Sequence, residues 1–147
     1  AALVSGAGAA LLVALGLAHG SASLAAPRFA WLEDYLPGLA AQQLLLQGFF
    51  APGFAALVGG AARGLRRGAT VALAAGAFAA LHAPNPALMI GVAVAGAFWT
   101  AHFLAHRNLL AVVASHLVLG AAAMASLGPG PMLNLRVGPG ALELLGR

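Results

Sequence analysis

The sequence predicts an all-α membrane protein, a bundle of about five transmembrane helices with one short interfacial helix. Of its 147 residues 62% are hydrophobic and only 7% charged, with 20 glycines. That is more apolar surface than a water-soluble domain of this size can hide. The apolar residues fall in long runs broken by Pro, Gly and Arg, whereas a transmembrane β-barrel needs short segments of alternating polarity. Within lipid the backbone has to satisfy its own hydrogen bonds, which favours helices. No internal repeat or domain boundary interrupts the pattern. The chain reads as a single membrane domain over 1–147, with a helical core at 39–127 and an extended tail at 128–147.

The absence of cysteine excludes disulfide scaffolds and thiolate metal sites. Every cation is an arginine, and the formal charge of +4 is scattered. No basic face suits nucleic acid, so the arginines are expected to set membrane topology.

Leu3 to His19 is the first expected span. Small residues at Ser21-Ala22-Ser23 and Ala25-Ala26 would also suit a signal-sequence cleavage site, but no basic segment precedes the run. Pro27 to Gly38 carries Phe29, Trp31 and Tyr35 beside Glu33 and Asp34, which suits a short helix at the headgroup level. The two acids are adjacent and do not share a helix face, so they read as a solvated pair. Leu39 to Gly60 is the second span, with Pro52 expected to kink it. Ala61 to Arg67 holds the charge cluster Arg63, Arg66 and Arg67 and reads as a loop. Gly68 to His82 is a short third span, stopped by Ala83-Pro84-Asn85-Pro86. Ala87 to His106 is the fourth, with Gly91, Ala95 and Gly96 permitting close helix contact. Leu109 to Leu127 is the fifth and holds His116.

Five spans place Arg63, Arg66, Arg67 and Arg107 on one side. Arg28, Arg136, Arg147 and all three acids fall on the other. The positive-inside rule then puts the N-terminus in the cytoplasm and the C-terminus outside.

Gln42, Gln43 and Gln47 form a cluster of amides in an apolar segment. A polar side chain in hydrocarbon is costly and turns toward the protein interior. Gln43 and Gln47, four apart, share a helix face. The topology brings the entrance of this helix to the same side as His82, and His116 lies about 10 Å into the fifth helix at ~1.5 Å per residue. These residues can therefore line one cavity. His102 and His106 form a second histidine pair near the opposite end. It could hold a metal, though two histidines beside Arg107 also suit a membrane interface. A purely structural reading has His82 capping a helix end, His116 bonded inside the bundle and the glutamines linking helices.

Three motifs occur in order: Gln42-Gln43-Leu44-Leu45-Leu46-Gln47-Gly48 with Pro52 following, Phe78-Ala79-Ala80-Leu81-His82, and Ala114-Ser115-His116. Together they resemble the CPBP intramembrane proteases, which include the CAAX prenyl endopeptidases and bacterial Abi-type proteins. That family carries Glu-Glu-x-x-x-Arg, Phe-x-x-x-His and a final His-x-x-x-Asn. The resemblance covers about Leu39 to Leu127. It implies a water-activating glutamate assisted by histidines and an arginine. Here Gln42, Gln43 and Gln47 replace the charged positions, and the final asparagine is missing. An amide has no useful basicity, and an arginine without its carboxylates would be a costly buried charge.

Three functions follow as expectations. The first is a catalytically silent CPBP-like protein that is a scaffold or accessory subunit, with the lipid bilayer and other transmembrane proteins as partners, in the bacterial inner (plasma) membrane. The second is an active CAAX-type protease using His82 and His116, with a divalent metal as an optional aid. The third is a pigment- or haem-associated subunit with His116 ligating a tetrapyrrole.

Overall fold

The computed structural model describes residues 2–22, 29–127 and 131–146, and within them the side chains of all but residues 29–32 and 34. Arg28, Arg147, Ala25-Ala26, the glycines at 128 and 130, and the side chains of Trp31 and Asp34 therefore lie outside the described parts.

The described residues are helical, with no strand among them. Helix α1 spans Ala2–Ala18. Helix α2 (Phe29–Leu44), a π-helical turn (Leu45–Phe50) and α3 (Ala51–Leu57) follow one another without a break. Helix α4 is Arg63–Ala80, α5 Pro86–His106 and α6 Leu109–Leu127. A 3-10 turn at Leu133–Leu135 and α7 (Pro139–Leu145) complete the chain.

These helices form five rods of alternating direction. Gln43 and Tyr35 on α2 meet His116 and Gly120 on α6, so those two run antiparallel. Arg67 reaches Ala101, and Ala75 lies against Gly96, so α4 and α5 are antiparallel too. Ser5 meets Ser115 and Gly16 meets Ser126, so α1 runs parallel to α6. One end of the bundle thus gathers the starts of α1, α4 and α6 with the ends of α3 and α5. This is the arginine end. The other, the tail end, carries the start of α2 and the C-terminal segment.

Helices α5 and α6 are long and apolar enough to cross a membrane; by that measure five transmembrane helices are not supported. Helix α1 is apolar over its 17 described residues. Helix α4 begins with three arginines in its first turns. The α2–α3 rod carries acids at one end and its amides in the middle.

Two local expectations are corrected, and the expectation at Pro52 gains a local geometry. The interfacial helix and second span are one rod, because Pro37 and Gly38 are absorbed within α2. At Pro52, where the sequence predicts a kink, the rod stays helical. A proline ring clashes with the carbonyl four residues back, here Gly48. The preceding turn is widened, so that the Ala51 N–H bonds Leu46 O, five residues back, and the chain stays helical through Phe50 and Ala51. The arginine cluster is not a loop but the start of α4, since arginine is a good helix former.

The described part of the tail, 131–146, is folded as well. Asn85 is fully buried. Its Oδ1 accepts from Leu88 N at 3.1 Å, capping α5, and its Nδ2 donates to Met132 O at 2.7 Å and Arg136 O at 3.1 Å. Gly138 N donates to Ala83 O at 2.9 Å. The main core lies between α4, α5, α6 and the π-helical turn, around Phe78, Trp99, Leu46 and Val112. A smaller one joins Ala123, Leu127 and Met132 beneath the tail.

Candidate functional site

The widened turn that accommodates Pro52 also positions the amides. Gln43 sits in the last turn of α2 and Gln47 within the π-helical turn; they are 0% and 3% exposed. Gln47 Nε2 donates to Gln43 Oε1 at 3.2 Å, and Gln43 Nε2 lies 3.1 Å from Nδ1 of His116 on α6. An amide nitrogen can only donate, so Nδ1 accepts and the imidazole is held neutral with its proton on Nε2. The three side chains form one directed chain of hydrogen bonds with no formal charge.

Aromatic rings surround the imidazole. Trp99 on α5 stacks on it with centroids 4.2 Å apart, and Phe78 on α4 meets it edge-on at 6.3 Å. Trp99 Nε1 donates to Ser115 Oγ at 2.9 Å, and Ser5 Oγ on α1 donates to the same oxygen at 2.7 Å. Neighbouring residues Ser115 and His116 thus tie α6 to α1, α2 and α5 at one level. Two buried oxygens, Gln47 Oε1 and Thr100 Oγ1, have no hydrogen-bond partner among the described residues.

Of the five candidate positions, the structure joins Gln43, Gln47 and His116. Gln42 is half-buried on the neighbouring face. His82 stands at the end of α4, where its Nδ1 donates to Phe78 O at 2.8 Å and its ring packs edge-on to Phe78 at 4.8 Å. It caps the helix as a C-terminal histidine can, touching the same phenylalanine that touches His116.

The described residues include no group of three His, Cys, Asp or Glu placed to hold a metal. The His102 and His106 rings lie against each other at a tilt of 43°, centroids 4.4 Å apart, with no third ligand among the described residues. A tetrapyrrole on His116 would need open space around the ring. That ring is 5% exposed, with Trp99 on one face and the Phe78 edge against it, so these residues do not fit the group.

Reading the sequence missed Asn85, Trp99, Ser115 and Ser5. Asn85-Pro86 carried a usable signal, a preferred cap before a proline at the first helical position. Trp99 and the serines carried none, because their partners are 16 and 110 residues away. No family model matches the sequence, and no curated protein or solved structure matches it either; these comparisons do not identify the chain as a CPBP protein.

Proposed function

We propose that this is a catalytically silent integral membrane protein, CPBP-like in its motif order, serving as a scaffold or accessory subunit for other membrane proteins. The observation carrying this reading is the Gln43–His116 contact at 3.1 Å. A hydrolase needs a group there that can take a proton from water. Gln43 cannot, and it donates to the nitrogen that could otherwise serve as the base. Gln47 fixes the far end of Gln43, and Trp99 covers a face of the imidazole. The cluster joins helices and has no free base.

The apolar flanks support the membrane and partner halves of the proposal. Leu3, Phe49, Leu57, Ile90, Val94 and Leu110 are each more than two-thirds exposed, an arrangement suited to lipid or to another transmembrane helix. In this proposal α1, the α2–α3 rod and α4 flank α5 and α6 to complete a five-span bundle. The arginine end faces the cytoplasm of a bacterial inner membrane.

The test is an assay of purified protein in mild detergent with a prenylated peptide and a transmembrane peptide. No cleavage is expected. Cleavage by the native chain that disappears in Gln43→Ala would overturn the silent reading. Purification under the same conditions tests the scaffold half, with a stoichiometric membrane-protein partner as the expected result.

A further inference from the structure

The order of the spans puts four of the seven arginines on one side, and the fold gathers those four around one cavity. Arg63, Arg66 and Arg67 on the first turns of α4 and Arg107 at the α5–α6 turn line one open cavity of about 450 Å³, beside Ala55 and Leu104. Two of the guanidinium groups are braced by neutral groups. Arg67 Nη2 donates to Ala101 O at 3.1 Å, and Arg107, whose φ is 52°, lies over the Phe103 ring at 5.7 Å. Neither contact cancels a charge.

No carboxylate lines the cavity. The three acids stand on α2 and α7, at the tail end. No side chain caps α4, so its first N–H groups add the positive end of the helix dipole to the same place. Four like charges in one basin repel each other unless an anion joins them. Forked guanidinium donors match phosphate oxygens.

The surroundings select the source of that phosphate. Helix α5 ends and α6 begins at the Arg107 turn, which, in the membrane-spanning bundle proposed above, puts the basin at headgroup depth. Leu57, Leu65 and Leu110, at this same end of the bundle, are 76%, 69% and 80% exposed. We infer that the basin binds the phosphate of an anionic phospholipid, whose acyl chains run along these leucines. This site is separate from the amide–imidazole cluster, and its test does not involve catalysis.

The experiment titrates the purified full chain, in a neutral maltoside detergent, with dioctanoyl phosphatidic acid, dioctanoyl phosphatidylcholine and inorganic phosphate, read by calorimetry. Saturable binding of phosphatidic acid, roughly 10-fold or more tighter than phosphatidylcholine, is expected, given the attraction of about one arginine's worth per contact at a membrane surface. The double variant Arg63→Gln/Arg66→Gln removes two exposed charges and should weaken that binding ~10-fold or more. Arg136→Gln, at the tail end, should leave it unchanged. Equal affinity for both lipids would overturn the site. Inorganic phosphate binding as tightly as phosphatidic acid would overturn the lipid as its occupant. Because the lipid comparison uses the native chain, the answer does not rest on the variants folding.

Discussion

Gln43, Gln47 and His116 meet inside the bundle as neutral groups, packed under Trp99 and Phe78 with almost no exposure. At the arginine end four guanidinium groups meet around an open cavity with no carboxylate among them. The first arrangement satisfies most of its own hydrogen bonds and leaves no charge for a ligand to compensate. The second leaves its charge uncompensated and open. Buried polar groups stabilise when they pair with each other, whereas exposed charges at an edge contribute little to folding and more to what they attract. Substitutions in the interior should therefore change stability, and those at the arginine end should change lipid binding while leaving stability nearly intact.

The largest effect is expected at Trp99. Its ring is 2% exposed, stacks on His116 and donates to Ser115. Trp99→Ala should cost about 3–5 kcal/mol, measured by denaturant unfolding in detergent micelles. A loss below about 1 kcal/mol would mean that the interior cluster does not hold the bundle together.

Asn85→Ala comes next. It removes the α5 cap and both side-chain bonds to the tail, and a loss of about 2–3 kcal/mol is expected. Limited proteolysis provides a second reading: cleavage should accelerate after residue 131 while the α4–α6 core survives. An unchanged digestion pattern would show that Asn85 does not hold the tail.

Gln43→Leu should cost about 1–2 kcal/mol, because it strands the Gln47 amide and His116 Nδ1 together. Imidazole nitrogen shifts measured by NMR in the native chain should show the proton on Nε2, and Gln43→Leu should release that preference. A proton on Nδ1 in the native chain would mean that the amide does not donate there.

These sites differ in how legible they were. The last two helices were read from the sequence almost residue for residue, because Arg107-Asn108 breaks two long apolar runs and nothing competes with that signal. The meeting of Gln43, Gln47 and His116 was readable because polar residues in an apolar chain have few places to go. The π-helical turn was not, since Pro52 predicts a disturbed helix but not that the turn before it widens. The folding of the tail was hidden for a different reason. Its two Gly-Pro-Gly stretches look like loose chain, and the bonds that hold Met132 and Arg136 come from Asn85, about 50 residues earlier. The order of the spans already put Arg63, Arg66, Arg67 and Arg107 on one side; that the fold closes them around one cavity was not legible, because a charge count along a chain carries no distances.

Gln47 gives the smallest expected effect and the finest test of how the interior differs from the edge. Its Nε2 bonds Gln43, but its Oε1 is buried without a partner. Gln47→Met keeps the length of the side chain, removes one hydrogen bond and also removes the unpartnered oxygen. The lost bond and the relieved desolvation are of similar size, so stability should stay within about 0.5 kcal/mol of the native chain. Denaturant unfolding of Gln47→Met beside Gln43→Leu measures the contrast. If both amides cost the same, the chain of hydrogen bonds acts as one unit and the Gln47 oxygen has a partner in solution. If Gln47→Met is neutral while Gln43→Leu is not, the essential contact is the one to His116.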